Sequence, residues 1–278
     1  MRNFALVTFA LASACLLPAC VAERGAVDDD SDEENVASIS QEDRGSSGSN
    51  GLDSVPYLQY RNRIGYLAMK YPFLVYSGGV YSVNPAIYNA YNTTGWQQEV
   101  FSYIFACVVP DTGTATINGT TYYGRGHLAF GTQWYSAPLK LQYAQELVAC
   151  VTAHVNPYHI HVPIQLHGPD IKSDTSQFGF YYPVQEALWT VKLNADWVPT
   201  VTVYPFSLLQ TACGQDIYAE ISNRVCGQSP SSCNLVLGDV ESCTSTLEGY
   251  YCDGQPAIGT NVLDTGFTDL YPSCEQLP

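Results

Sequence analysis

Ten cysteines, at positions 15, 20, 107, 150, 213, 226, 233, 243, 252 and 274 of 278 residues, set the strongest limit on what this chain can fold into. Cys15 and Cys20 lie in an N-terminal stretch with the marks of an export signal, which leaves eight for the folded part. Eight is even, and an exported chain matures where thiols oxidise, so a framework of up to four disulfides is the natural expectation. Six of the eight fall between Cys213 and Cys274, separated by 12, 6, 9, 8 and 21 residues. No CxxC pair occurs that would mark a zinc finger or a thioredoxin-like centre. Six cysteines admit roughly fifteen pairings and the spacing selects none of them. Cys107 and Cys150 stand apart from the cluster, each on the flank of an expected helix, so a bridge joining those two helices is geometrically open.

The export reading rests on residues 1–20, MRNFALVTFALASACLLPAC: Arg2, then an apolar run from Phe4 to Leu17. That run is shorter than the ~20 helical residues needed to span a bilayer, so it reads as a signal peptide rather than an anchor helix. Leu17-Pro18-Ala19-Cys20 resembles the bacterial lipobox, in which the cysteine is diacylated and becomes the mature N-terminus. The alternative is ordinary cleavage after Ala22. With Val21 rather than Asp behind the cysteine, resemblance to Gram-negative lipoproteins implies the outer membrane, and without lipidation the destination is extracellular. No later segment offers 18 consecutive apolar residues, so no spanning helix is expected. Residues 20–54 carry Asp28, Asp29, Asp30, Asp32, Glu33 and Glu34 and then Gly45-Ser46-Ser47-Gly48-Ser49-Asn50-Gly51, which reads as an acidic, Gly/Ser-rich disordered tether.

Lys and Arg number 11 against 26 Asp and Glu, a net charge of -15, so there is no basic footprint for a phosphate backbone or an anionic membrane surface. Nucleic acid is excluded as a leading partner. About half of the acidity belongs to the tether, so the folded surface is only moderately acidic. With 46% hydrophobic residues and 21 tyrosines, the remainder has ample material for a core.

Thr94-Gly95-Trp96-Gln97 is a capping-box pattern, followed by Val100, Tyr103, Ile104, Cys107 and Val108 at helical spacing. A second helix is expected from about Pro138 to Val155, with Leu141, Ala144, Leu147, Val148, Val151 and Val155 on one stripe. Between them, Thr114–Ile117 and Thr120–Tyr123 flank Asn118-Gly119, a strong hairpin signal. Residues 159–167 alternate: Ile160, Val162, Ile164 and Leu166 on one face, and His159, His161, Pro163, Gln165 and His167 on the other, a half-buried strand. Further strands are expected over 177–182, 186–193 and 197–206. The fold class is therefore α+β: a small mixed domain with two short helices packed on hairpins and strands, plus a loop-rich, disulfide-stapled C-terminal extension. The divisions are a signal at 1–19, the tether at 20–54, the globular domain at 55–210 and the Cys-rich extension at 211–278.

The stretch Phe101–Cys107, Trp134, Glu146–Asn156 and Val162–Pro169 resembles a set of uncharacterised lipoproteins of myxobacteria. The shared pattern is a Cys-bearing helix, a Trp-containing segment, a second Cys-bearing helix ending in Ala-x-x-Asn, a strand closing at Gly, and a Cys-rich tail. The likeness covers roughly residues 95–255. It implies place and architecture and assigns no catalytic residue. The His-rich strand departs from that pattern.

For chemistry, His159, His161 and His167 share a strand face and are the metal-ligand candidates, because neutral imidazoles at i and i+2 can share a metal. Same-face neighbours are about 6.5–7 Å apart, so His167 needs a bend to join the other two; the competing reading is a solvated polar face. There is no GxSxG, SxxK or HExxH. Cys150 and His154 have i, i+4 spacing, but an exported cysteine is expected oxidised. A glycosidase would need two carboxylates at a set separation; Glu99, Glu146, Asp170, Asp174, Glu186 and Asp196 are available and nothing in their spacing selects a pair, with Glu99 and Glu146 read as exposed helix residues. Tyr122, Tyr123, Tyr181, Tyr182 and Trp189 are candidates for a stacking platform that would take a carbohydrate or protein partner, against the plainer reading that they fill core and sheet. No cofactor is expected. The functional expectation is an exported, lipid-anchored cell-envelope protein attached to the membrane through its N-terminal acyl group, with a non-catalytic binding role. The alternative is an exported hydrolase, metal-dependent through the His-rich strand or carbohydrate-active.

Overall fold

The computed structural model describes residues 47–78, 80–91, 94–156, 162–171, 182–227, 233–247 and 249–274. In chain order these form β1 (Ser47–Asn50), α1 (Ser54–Lys70), β2 (Leu74–Ser77), β3 (Val80–Val83), α2 (Pro85–Tyr88), α3 (Gly95–Val108), β4 (Thr114–Ile117), β5 (Thr120–Tyr123), α4 (Leu141–Ala153), β6 (Val162–His167), β7 (Val184–Leu193), β8 (Pro199–Pro205), α5 (Ser207–Cys213), α6 (Ile217–Cys226), β9 (Leu235–Leu237), β10 (Cys243–Thr246), β11 (Gly249–Cys252), β12 (Gln255–Val262) and α7 (Asp264–Leu270). The fold is α+β. No helix among the described residues is long and apolar enough to cross a membrane.

The local signals explain the first elements. Thr94 accepts from the Gln97 backbone while the Gln97 side chain accepts from Thr94, so the capping box starts α3 where the sequence places it. β4 and β5 pair antiparallel about Asn118 (φ 50°) and Gly119 (φ 86°), the left-handed pair that a two-residue hairpin turn demands. The helix expected over 138–155 runs from Leu141 to Ala153. Helix α1 goes beyond the helices expected from the sequence. Asp53 caps it by accepting from Val55 N at 2.8 Å, and Tyr57, Tyr60, Ile64, Leu67 and Ala68 form its buried stripe.

The main sheet runs β1-β6-β12-β7-β8-β9, with β11 extending the edge of β12 and β10 beyond it; every pairing is antiparallel except β8 with β9. Helices α1, α3 and α4 pack together over one face, where Val162, Ile164, Leu166, Ala187, Trp189, Val191, Val201, Val203, Ile258 and Val262 complete the principal core. A smaller cluster on the other face holds Leu188, Tyr204, Cys252 and Ala257, with Phe206, Val240 and Tyr250 packed against it.

Three expectations need correction. The end of the 20–54 tether is ordered: Ser47–Asn50 pair with Val162–Gln165, and Leu52 is fully buried. Strand pairing is made by backbone groups, so a Gly/Ser composition does not forbid it. The segment 211–278 is disulfide-stapled, yet no break separates it from the preceding domain, because β12 lies between β6 and β7 in the sheet. The strand expected half-buried is covered on both sides, with Gln165 and His167 nearly as buried as Ile164. The expected alternation of faces holds, but the polar face lies under the second layer rather than in water. The strand expected over 177–182 lies outside the described residues apart from Tyr182.

All eight cysteines of the folded part are paired: Cys107–Cys150, Cys213–Cys274, Cys226–Cys233 and Cys243–Cys252. The first joins α3 to α4. Cys213–Cys274 closes the chain end after α7 onto the end of α5, and Cys243–Cys252 crosslinks the β10–β11 hairpin.

Candidate functional site

The positions singled out from sequence do not converge. His159, His161, Tyr181 and Cys20 lie outside the described residues. His167 is buried, its ring 5.9 Å from Tyr250 in an edge-on contact and laid over Gly259, its register partner. A Cβ at Gly259 would stand 2.0 Å from that ring, so the strand accepts the imidazole only because residue 259 has no side chain. Burial lowers the His167 pKa to about 4, so it is a neutral packed group. The stacking platform is not assembled. Tyr122, Tyr182 and Trp189 are buried, Trp189 completely and donating to Thr260 Oγ1 at 2.9 Å, while Tyr123 is exposed. High β propensity placed these rings in core and sheet.

A carboxyl pair the sequence did not select is brought together instead. Gln142, Gln145, Glu146 and Ala149 fall at helical spacing on one face of α4 and face Val191 of β7 and Gly254, Gln255 and Pro256 at the turn from β11 to β12. They line a pocket of about 210 Å³. Asp253 (φ 50°) and Gly254 (φ 74°) make the tight turn that forms its rim. Glu146 is only 5% exposed, which overturns its reading as an exposed helix residue. Its carboxyl shares a hydrogen bond with Asp170, which follows β6, and accepts from Gln142 Nε2 at 3.1 Å. Burial first, then the Asp170 charge and the hydrogen bond with it, push the Glu146 pKa up to about 8. At neutral pH the Glu146 carboxyl is therefore largely protonated. The only sequence signal was the run of polar residues at i, i+3 and i+4 on α4, which reads equally as a solvated face.

A second polar centre lies inside the principal core. Arg224 of α6 pairs with Glu186, donates to Ala153 O at 2.9 Å and to Tyr271 Oη at 3.2 Å, and sits 4.9 Å from the Trp189 ring centre; Tyr271 also donates to Glu186. Arg224, Glu186 and Tyr271 are fully buried. The register between β7 and β12 slips between Thr260 and Asn261, which pair with Ala187 and Gln185, leaving Glu186 in a bulge that turns it toward the helices. Next to this centre, His154 at the end of α4 bonds through Nδ1 to Cys150 O at 2.7 Å. Its ring lies 5.1 Å from His127 and 5.3 Å from Tyr103. Burial lowers the His154 pKa to about 4.

Among the described residues, the one convergence of three metal-ligating side chains is Cys107, Cys150 and His154, whose two sulfurs are joined in the disulfide. No protein-family model, curated protein or solved structure matches this chain.

Proposed function

We propose that this is an exported, lipid-anchored cell-envelope protein of the kind its myxobacterial resemblance implies, with a non-catalytic binding role. The acyl group on Cys20 would hold it to the outer membrane, and the acidic stretch up to residue 46 would set the folded body off from the lipid surface. The pocket at the α4 face, between Glu146 and the β11–β12 turn, is the binding site. Its lining supplies the side-chain amides of Gln142, Gln145 and Gln255 beside the protonated Glu146 carboxyl. Amides both donate and accept, which suits a small hydroxyl-bearing ligand such as a sugar ring. At about 210 Å³ the site is smaller than the ~300–1,000 Å³ of drug-sized pockets, so one ring or chain end is the scale of ligand it fits.

What supports the non-catalytic reading is the burial of Glu146 against the charge of Asp170, which holds its carboxyl protonated well above the usual range. Glycosidases hold their two carboxyls about 5–9.5 Å apart so that each takes a separate role, and a pair in direct electrostatic contact argues against that chemistry in particular. The metal-dependent alternative loses support from the buried, packed position of His167. The test is a titration of the purified protein with N-acetylglucosamine and with glucose, followed by proton–nitrogen NMR. Saturable shifts at the side-chain amides of Gln142, Gln145 and Gln255 are expected, without turnover. Hydrolysis of an aryl glycoside that disappears in Glu146→Gln would overturn the non-catalytic role.

A further inference from the structure

We propose that Cys107, Cys150 and His154, with His127 beside them, form a thiolate–imidazole site for a zinc-class divalent cation, and that the Cys107–Cys150 disulfide masks this site. The two sulfurs and a ring nitrogen of His154 lie within 4.8 Å of one another, and all three residues are buried. Ligands about 2.0–2.3 Å from a tetrahedral zinc are themselves separated by under about 4 Å, so small side-chain movements suffice to close on an ion. His154 is already in the right tautomer. A carbonyl can only accept, so Nδ1 must donate its hydrogen to Cys150 O, and Nε2 keeps its lone pair. That Nε2 is buried and has no hydrogen-bond partner. An imidazole held through one nitrogen by a backbone carbonyl, with the other nitrogen bare, is the arrangement that metal-binding histidines use. His127, fully buried with its ring centre 5.1 Å from that of His154, stands beside this three-ligand set and is not part of it.

The elements explain how these residues come together. Cys107 sits in the last turn of α3, Cys150 and His154 lie one helical turn apart at the end of α4, and His127 follows β5 on a segment tied to α3 by Leu128 N donating to Cys107 O at 2.9 Å. Charge favours the assembly as well: two thiolates cancel a divalent cation, and a neutral centre is what a dry interior tolerates.

In the oxidised protein the two sulfurs bond each other and no thiolate is available. Exchange with a dithiol reductant breaks the S–S bond. The dithiol closes to its own disulfide, and its two electrons and two protons leave Cys107 and Cys150 as thiols. The cation then displaces both thiol protons to water.

The test uses cobalt(II) as an optical probe on the full chain, unreduced and after treatment with a phosphine reductant. The reduced protein is expected to bind one cobalt with thiolate charge-transfer bands and the visible spectrum of a tetrahedral ion; the unreduced protein is expected to show neither. His154→Ala, which leaves the bridge free to form, should weaken cobalt binding by about 10–100-fold, and His154→Gln serves if the alanine variant does not fold. The double change Cys107→Ser with Cys150→Ser should abolish the spectrum, and Cys213→Ser with Cys274→Ser should keep it. A reduced chain that gives no tetrahedral spectrum at one equivalent overturns the proposal. So does a spectrum that survives loss of Cys107 and Cys150.

Discussion

Glu146, His154 and His167 are three buried groups whose ionisation the fold opposes, and together they set how stability responds to pH. The Glu146 pKa is raised to about 8, so the native state keeps a proton that the unfolded chain releases above about 4.5. Its stabilising contribution is complete below about 4.5 and is lost as pH rises through about 8. His154 and His167 are lowered to about 4 from 6.5. Their contribution is complete above 6.5 and is lost as pH falls toward about 4. Two histidine protons outweigh one carboxyl proton between these limits, so urea unfolding across the pH range is expected to show maximal stability near 6.5. The isosteric change Glu146→Gln should flatten the alkaline limb and leave the acid limb in place. At Gly259, replacement by Ala drives a methyl into the His167 ring and should cost about 1–3 kcal/mol; adding His167→Ala should recover part of it, as a double-mutant cycle by denaturation would show. Little of this was legible in the sequence. Glu146 and Asp170 are 24 positions apart, and nothing local says that the turn after β6 folds back against α4. His167 was readable as a strand residue, but its burial depends on a layer drawn from β11, more than eighty positions later.

At the scale of elements, the Arg224–Glu186–Tyr271 centre ties α6, β7 and the end of α7 to the carbonyl end of α4. Removing one partner of a fully buried ion pair strands the other, so Arg224→Met should cost about 3–5 kcal/mol in unfolding free energy. Changing Arg224 and Glu186 together to apolar residues of similar volume should cost much less, because no charge is left behind. Equal losses in the single and the double variant would show that the centre acts by packing alone. The elements that were legible are those fixed by adjacent residues: the capping box of α3, the Asn118-Gly119 hairpin, and the apolar stripe of α4. α6 also carried a readable stripe, Ile217, Ile221 and Val225, which the surrounding Cys, Gly and Ser obscured. β12 was not readable. A central strand containing Pro256 and Gly259 breaks the usual propensity rules, and it succeeds here because Pro256 lies in the part bordered by β11 and Gly259 makes room for His167.

For the whole molecule, β12 joins the C-terminal stretch to the rest of the fold, and three of the four disulfides staple that stretch to itself. Cys213–Cys274 links positions 61 apart, a loop whose closure is worth about 4 kcal/mol on chain-entropy grounds, against about 2.5 for the nine-residue separation of Cys243 and Cys252. Because Phe267, Leu270 and Tyr271 belong to the principal core, Cys213→Ser with Cys274→Ser should lower the temperature of a single unfolding transition. A separate early transition confined to residues 211–278 would show that the tail folds on its own. The intact mass of unreduced protein extracted from membranes checks for a lipid-anchored, fully bridged body on an acidic tether. The expected chain begins at a diacylated Cys20 and weighs eight hydrogens less than its reduced form, in keeping with four bridges. An unlipidated chain beginning near Glu23, or one with free thiols among the eight cysteines, would contradict it.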